Sequence, residues 1–279
     1  MHRLDPAIYL HPMSPHPTHL LPGGSLKKPI EALLCDIYGT LLISGSGDVG
    51  TTHPGADDCT KLERLLDKYH LRIPPVDLTK RMHTAIKAAH LQARASGIKF
   101  PEVVIEKIWL DLLPLNTLET ARRFATEYEL ITNPIWPMPG MHGLLDACRL
   151  SGIRLGIISN AQFYTPVLFE WLLGESLSAL GFDPDLMIFS FEHGCAKPCS
   201  HLFDLAKGRL ITKSILPARA AFIGNDMRND IAPAARQGFQ TILFAGDGRS
   251  LRLRESETDT VLRADRVITE LSQLIEDLT

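Results

Sequence analysis

No run of about 18 apolar residues occurs in the chain, so no segment is expected to span a membrane. Cysteine is scarce: five residues, an odd number, with no C-x-x-C pair. That argues against a disulfide framework and for a reducing, cytoplasmic setting. Positive charge is not in excess. The net charge of −3 gives no bulk attraction for nucleic acid, which is therefore not an expected partner. No internal repeat of 20–50 residues is visible, which argues against a solenoid. What remains is ordinary: 45% hydrophobic and 22% charged residues, the balance of a soluble globular chain. At 279 residues it can bury a full core without metal or disulfide staples, in one or two domains.

The first 26 residues hold five prolines and four histidines, His2, His11, His16 and His19. They lack the basic start, apolar middle and small-residue cleavage site of a signal peptide. They are expected to form a flexible extension that packs weakly.

Beyond residue 26, short apolar runs alternate with helical patterns. Segment 31–37 reads as a buried strand ending in a turn at Gly39-Thr40, and 153–158, 186–190, 220–223 and 241–244 read likewise. Helical patterns cover 162–180, 200–210 and 229–237, and a terminal amphipathic helix is expected near 258–278. Alternating strands and helices predict an α/β fold with a parallel sheet covered on both faces. One interval breaks the rhythm. Segments 55–70, 76–96, 101–113 and 117–131 all read as helices, so an all-helical insert follows the first strand. In 76–96, Leu78, Met82, Ile86, Ala89 and Ala93 form one apolar face. Beside it run Lys80, His83, Lys87, His90 and Arg94, read as a solvated face rather than a wall toward an anionic ligand. Arg249, Arg252 and Arg254 read as a surface loop.

Polar residues gather where the strands end: Asp36, then Ser159-Asn160, Lys197-Pro198, and Gly224-Asn225-Asp226 with Asp230. In a parallel sheet, ligands bind beyond those carboxyl ends. A carboxylate fixed on a strand tip, as Asp36 would be, can attack phosphorus or an electron-poor carbon. Asp36, Asp226 and Asp230 offer the hard oxygens that Mg²⁺ prefers. Lys197 can neutralise a transferring anionic group, and Ser159 and Asn160 can donate hydrogen bonds to it.

These clusters resemble the four motifs of the haloacid dehalogenase (HAD) superfamily of hydrolases. The match lies in Asp36-Ile-Tyr-Gly-Thr-Leu-Leu42, Ile158-Ser159-Asn160, Lys197-Pro198 with Phe203 six residues on, and Ile223-Gly-Asn-Asp-Met-Arg-Asn-Asp-Ile231. The resemblance implies a Rossmann-like core at 27–45 plus 135–279 and a helical first-type cap at 46–134. It also implies a hydrolase that dephosphorylates a small anionic metabolite through an aspartyl-phosphate, with Mg²⁺. On that likeness Asp36 is the nucleophile, Ser159 the phosphate donor, Lys197 the group that holds both, Asp226 a metal ligand and Asp230 its support. The residue two after the nucleophile, here Tyr38, gives the metal its carbonyl.

Position 38 departs from the phosphatase pattern, which places a second aspartate there as general acid and base. Tyrosine, with an ordinary pKa near 10, is a poor proton shuttle at neutral pH. Tyr38 resembles the 2-haloacid dehalogenases instead, whose leaving halide needs no proton and whose site needs no Mg²⁺. Motif four departs from those enzymes: Met227 falls where they have asparagine, and the Asp226/Asp230 pair is similar to the metal-binding version. A third alternative is a homologue that binds a metabolite without turnover.

Overall fold

The computed structural model describes residues 6–46, 56–254 and 263–278. A two-residue strand β1 (Gly23–Gly24) precedes β2 (Ala32–Cys35) and β3 (Leu42–Ser44). Four helices follow: α1 (Ala56–Lys68), α2 (Pro75–Ala95), α3 (Ile105–Leu112) and α4 (Leu118–Thr132). The chain returns through β4 (Ile135–Pro137) and α5 (Met141–Leu150) to β5 (Arg154–Ser159), α6 (Thr165–Leu173) and β6 (Phe182–Phe189). It closes with α7 (Ser190–His193), α8 (Ser200–Thr212), β7 (Ala220–Gly224), α9 (Ala232–Arg236), β8 (Gln240–Phe244), β9 (Arg266–Ile268) and α10 (Ser272–Ile275).

Seven strands form one sheet in the order β1-β9-β8-β7-β2-β5-β6, parallel except for β1 against β9. All four residues of β2 are buried, because the strand lies mid-sheet and is covered on both sides. Leu33 and Cys35 join the hydrophobic cluster that includes Met141, Leu144 and Leu145 of α5. Ala32 and Leu34 join the cluster built on Leu202, Phe203 and Leu210 of α8. The alternation of β2 thus serves two helical layers. From β2 the chain continues to β5 on one side, and β7 lies on the other. The sheet therefore splays its loops apart at the carboxyl end of β2, where a crevice opens.

The helical insert springs from an antiparallel pair, β3 with β4. Asn133 locks that root: its Oδ1 accepts from Ser44 Oγ at 2.8 Å and from the Ser46 amide at 3.1 Å. Above it α2 begins with Pro75 in its first turn, where no amide is needed, and α4 is capped by Thr117, whose hydroxyl accepts from the Thr120 amide. The insert has its own aromatic core. The Trp109 ring meets Phe124 edge-on at 4.9 Å and Tyr128 at 4.8 Å. Among the described residues no helix is long and apolar enough to cross a membrane.

Two expectations need correction. The terminal segment is not one amphipathic helix. Val267 and Ile268 extend the sheet as β9, parallel to β8, and only then does the short α10 follow. Strand pairing and β-branched side chains outweigh the helical spacing of Val267, Leu271 and Leu274; Leu262 lies outside the described residues. Nor is the amino-terminal extension loose, where it is described. Tyr9 donates to Glu127 of α4 at 2.5 Å, and the His16 amide donates to Asp247 at 3.1 Å. Thr18 donates to the Ala245 carbonyl at 2.6 Å, and Gly23–Gly24 pairs with β9. Its prolines hold an extended strap against both the insert and the sheet, and Tyr9, Leu10 and Met13 pack on the core. His2 lies outside the described residues.

Candidate active site

Asp36 follows β2 directly, and its amide still donates to the Ile223 carbonyl of β7 at 2.9 Å. The sheet therefore fixes the backbone that carries the carboxylate. The chain then turns through Gly39 at φ +80°, where a Cβ would strike Asn225 and Ser250. Ser159 ends β5, and Lys197 sits between α7 and α8. Asp226 follows β7 and opens a single π turn, Met227–Ile231, that carries Asp230. Its own carboxylate caps that turn, accepting from the Arg228 and Asn229 amides at 2.9 and 3.1 Å.

The four clusters meet. Lys197 Nζ donates to Asp36 Oδ1 and to Asp230 Oδ1, each at 2.6 Å. Ser159 Oγ donates to the same Asp36 oxygen at 3.0 Å, whereas Thr40 reaches Oδ2 only at 3.5 Å. Asp230 Oδ2 accepts from the Asp226 amide at 3.0 Å. Lys197 and Asp36 are each 6% exposed and Asp230 1%, so their mutual attraction is little screened. Burial alone would lower the pKa of Lys197, but Asp230 and Asp36 outweigh it and raise the ammonium above its usual range. Asn160 works through its side chain: Oδ1 accepts from the Lys197 amide at 2.6 Å and Nδ2 donates to its carbonyl at 3.4 Å.

The Tyr38 hydroxyl hydrogen-bonds to Thr165 Oγ1 at 2.9 Å. Burial raises its pKa far above neutrality, with further upward pushes from the charges of Glu129 and Asp36. Its carbonyl accepts from Asn225 Nδ2 at 3.2 Å. Gly224 is required beside Asp230, because a Cβ there would lie 2.5 Å from the carboxyl group.

Asp36, Tyr38, Lys197, Asp226 and Asp230 all line one cavity of about 260 Å³. Among the described residues no group of three or more His, Cys, Asp or Glu side chains is arranged to hold a metal. The donors available are of another kind: two carboxylates, Asp36 and Asp226, with the Tyr38 carbonyl. That hard-oxygen set suits Mg²⁺, which keeps several waters and shares substrate oxygens. Asp36 Oδ2, with one distant donor, has lone pairs to spare. Asp226 is more engaged, since Arg254 Nη2 lies 2.8 Å from its Oδ2.

Arg254 corrects the reading of 249–254 as a surface loop. The loop pairs with motif four: the Arg252 amide donates to the Asn225 carbonyl and the Met227 amide to the Arg252 carbonyl. Arg252 lines the 260 Å³ cavity. No local pattern in the sequence marks this contact, because it is long-range main-chain pairing. A second cavity of about 470 Å³ lies in the insert, lined by His83, Lys87, His90 and Arg94. Four of the five stripe residues therefore border a hollow; Lys80, Lys87 and Arg94 are exposed to solvent, whereas His83 and His90 are half-buried. His90, Glu102, Glu129, Gln162 and Tyr164 line both cavities and form the neck between them.

Comparison with known proteins gives a consistent result. No protein-family model matches the chain. A glyceraldehyde 3-phosphate phosphatase of Methanothermobacter thermautotrophicus is 32% identical over 147 residues, 51% of this chain and 58% of that protein. A ribulose-1,5-bisphosphate 5-phosphatase of Halopiger xanaduensis is 35% identical over 135 residues, 48% of this chain and 49% of that one. The matched stretch thus spans about half the length of these curated relatives. The solved structure of a 2-haloacid dehalogenase from Pseudomonas syringae superposes over 89% of this chain and 98% of its own, with a TM-score of 0.57 at 18% identity. With a parallel sheet, a helical insert and the four strand-end clusters in order, the chain has the fold of the haloacid dehalogenase superfamily hydrolases.

Proposed function

We propose that this protein is a Mg²⁺-dependent phosphatase of a small phosphorylated metabolite, with the four insert helices as its cap. The observation that carries the reading is the buried triad in which Lys197 bridges Asp36 and Asp230 at 2.6 Å, with Asp226 beside it. Asp36 is the nucleophile: a carboxylate on a rigid strand tip attacks phosphorus and forms an acyl phosphate. Lys197, held cationic, offsets charge on the phosphoryl oxygens. Ser159 donates to Asp36 in the resting site and is within reach of a phosphoryl oxygen bound to it. Asn160 keeps the Lys197 backbone in place. Asp36, the Tyr38 carbonyl and Asp226 would hold Mg²⁺, which when bound would supply Lewis-acid stabilisation of the dianion. Asp230 orients Lys197 and takes the Asp226 amide. The 470 Å³ hollow receives the rest of the substrate, and its cationic rim suits a sugar phosphate or similar anionic metabolite. The two curated relatives, both phosphatases by name, support this choice over carbon–halogen hydrolysis, as does the Asp226/Asp230 pair.

The test is an assay of the whole chain against a panel of phosphorylated metabolites and 2-haloacids, with Mg²⁺ and with chelator. Phosphate release that needs the metal is expected. Halide release insensitive to chelator, or no phosphate release from any ester, would overturn the proposal.

A further inference from the structure

The phosphatase reading leaves one chemical gap. An alkoxide leaving group needs a proton, and Tyr38 cannot supply it, because its hydroxyl is buried against Thr165 and its pKa is raised. The neck between the two cavities is where the scissile oxygen of a bound ester would pass, with phosphate below and the remaining substrate above. Besides Tyr164, whose pKa burial raises, the titratable groups of the neck are His90, Glu102 and Glu129.

The geometry points to Glu129 of the cap helix α4 as the general acid and base that replaces the missing motif-one carboxylate. This assignment rests on the phosphatase reading. Glu102 is occupied by three donors, Ser190 Oγ at 2.6 Å, the Val103 amide at 2.9 Å and Gln162 Nε2 at 3.2 Å. Burial and the adjacent Arg94 lower the pKa of His90, which disfavours the protonated form that a donor needs. Glu129 differs from both. Among these three, Glu129 alone pushes up the pKa of Tyr38, which stands where the phosphatase pattern has its acid. Asn133 Nδ2 holds Glu129 Oε1 at 2.9 Å, and Asn133 is itself oriented by Ser44 and the Ser46 amide. Tyr164, from the core side, favours its charged form. The carboxyl is thus pre-positioned by residues from the root of the cap and from the core. Its other titratable neighbours are Glu102 and His90 across the neck and Tyr38 and Tyr164 from the core side. Burial raises its pKa, so it retains a proton to higher pH than an ordinary glutamate.

Two steps balance the reaction. First an Asp36 oxygen bonds to phosphorus, the phosphorus–oxygen ester bond breaks, and the departing alkoxide takes the Glu129 proton. Then water bonds to phosphorus, the acyl-phosphate bond breaks to restore the Asp36 carboxylate, and one water proton passes to Glu129. The sum is ester plus water to alcohol plus phosphate.

The test compares Glu129→Gln with wild type, as full chains, on p-nitrophenyl phosphate and on the alkyl phosphate hydrolysed fastest in the panel. Nitrophenolate leaves without a proton, whereas an alkoxide does not. The expected loss of kcat/KM, which reports transfer to Asp36 rather than the later hydrolysis common to both esters, is about 10²- to 10³-fold on the alkyl ester and under about tenfold on the aryl ester. Glu129→Asp is expected to recover part of the alkyl activity. Equal losses of kcat/KM on both esters, or none on the alkyl ester, overturn the assignment while leaving the phosphatase reading intact. A wild type inactive on both esters overturns both. If the glutamine variant does not fold, the wild type decides alone: rates across esters that vary little with leaving-group pKa support Glu129, and a steep decline overturns it.

Discussion

The side chain of Asn160 grips the backbone of Lys197 from both sides, accepting from its amide at 2.6 Å and donating to its carbonyl at 3.4 Å. The end of β5 thereby sets where the Lys197 ammonium meets Asp36. Removing the grip should move the cation without removing it. Asn160→Ala is expected to lower kcat about 10- to 100-fold and to destabilise the fold by about 1–3 kcal/mol, the cost of leaving buried main-chain groups unpaired. Steady-state kinetics and urea unfolding check this. An unchanged kcat would show that the Lys197 loop is held by other contacts.

Lys87 and Arg94 line the larger cavity yet are exposed, so their loss should not disturb packing. Lys87→Ala with Arg94→Ala is expected to raise KM about three- to tenfold for a substrate with an anionic group remote from the scissile ester. The expected kcat and melting temperature are close to wild type. A KM that does not move would show that the stripe faces solvent only.

Arg254 occupies Asp226 Oδ2 at 2.8 Å, where the metal would bind. Arg254→Gln is therefore expected to lower the Mg²⁺ concentration for half-maximal activity, by up to about fivefold, since an ion pair at the exposed edge is worth at most about 1 kcal/mol. Titration with Mg²⁺ reads this directly. An unchanged or increased requirement would separate Arg254 from metal binding.

Glu129 also predicts a pH dependence of stability. Its pKa is raised in the folded chain, so folding binds its proton more tightly than the unfolded chain does. The corresponding stabilisation is full below 4.5, its ordinary value, and is lost as pH rises through the raised value. Urea midpoints measured across that window are expected to fall more steeply for wild type than for Glu129→Gln. Parallel curves would contradict a proton-holding carboxyl at this position.

The strand-end clusters are legible in the sequence because each is local: an apolar run, a turn and a polar residue within a few positions, as at Asp36 or at Asp226 and Asp230. The four insert helices are legible for the same reason, since the spacing from Leu78 to Met82 and beyond marks one face. The spacing does not show what the neighbouring basic face meets, and there the sequence reading favours solvent. Glu129 and Arg254 belong to the site only through contacts made across long stretches of chain. The strap near Tyr9 and His16 and the β9 strand depend on the sheet edge they join, and neither carries a local pattern strong enough to show it.

The claim on which the account stands is that Asp36 itself becomes phosphorylated. Rapid acid quench of the working enzyme with its best phosphoester, followed by peptide mass analysis, tests it. The account predicts a phosphoryl adduct on the peptide bearing Asp36, and loss of both adduct and turnover in Asp36→Asn. Phosphate release that persists in Asp36→Asn, with no adduct in wild type, would contradict it.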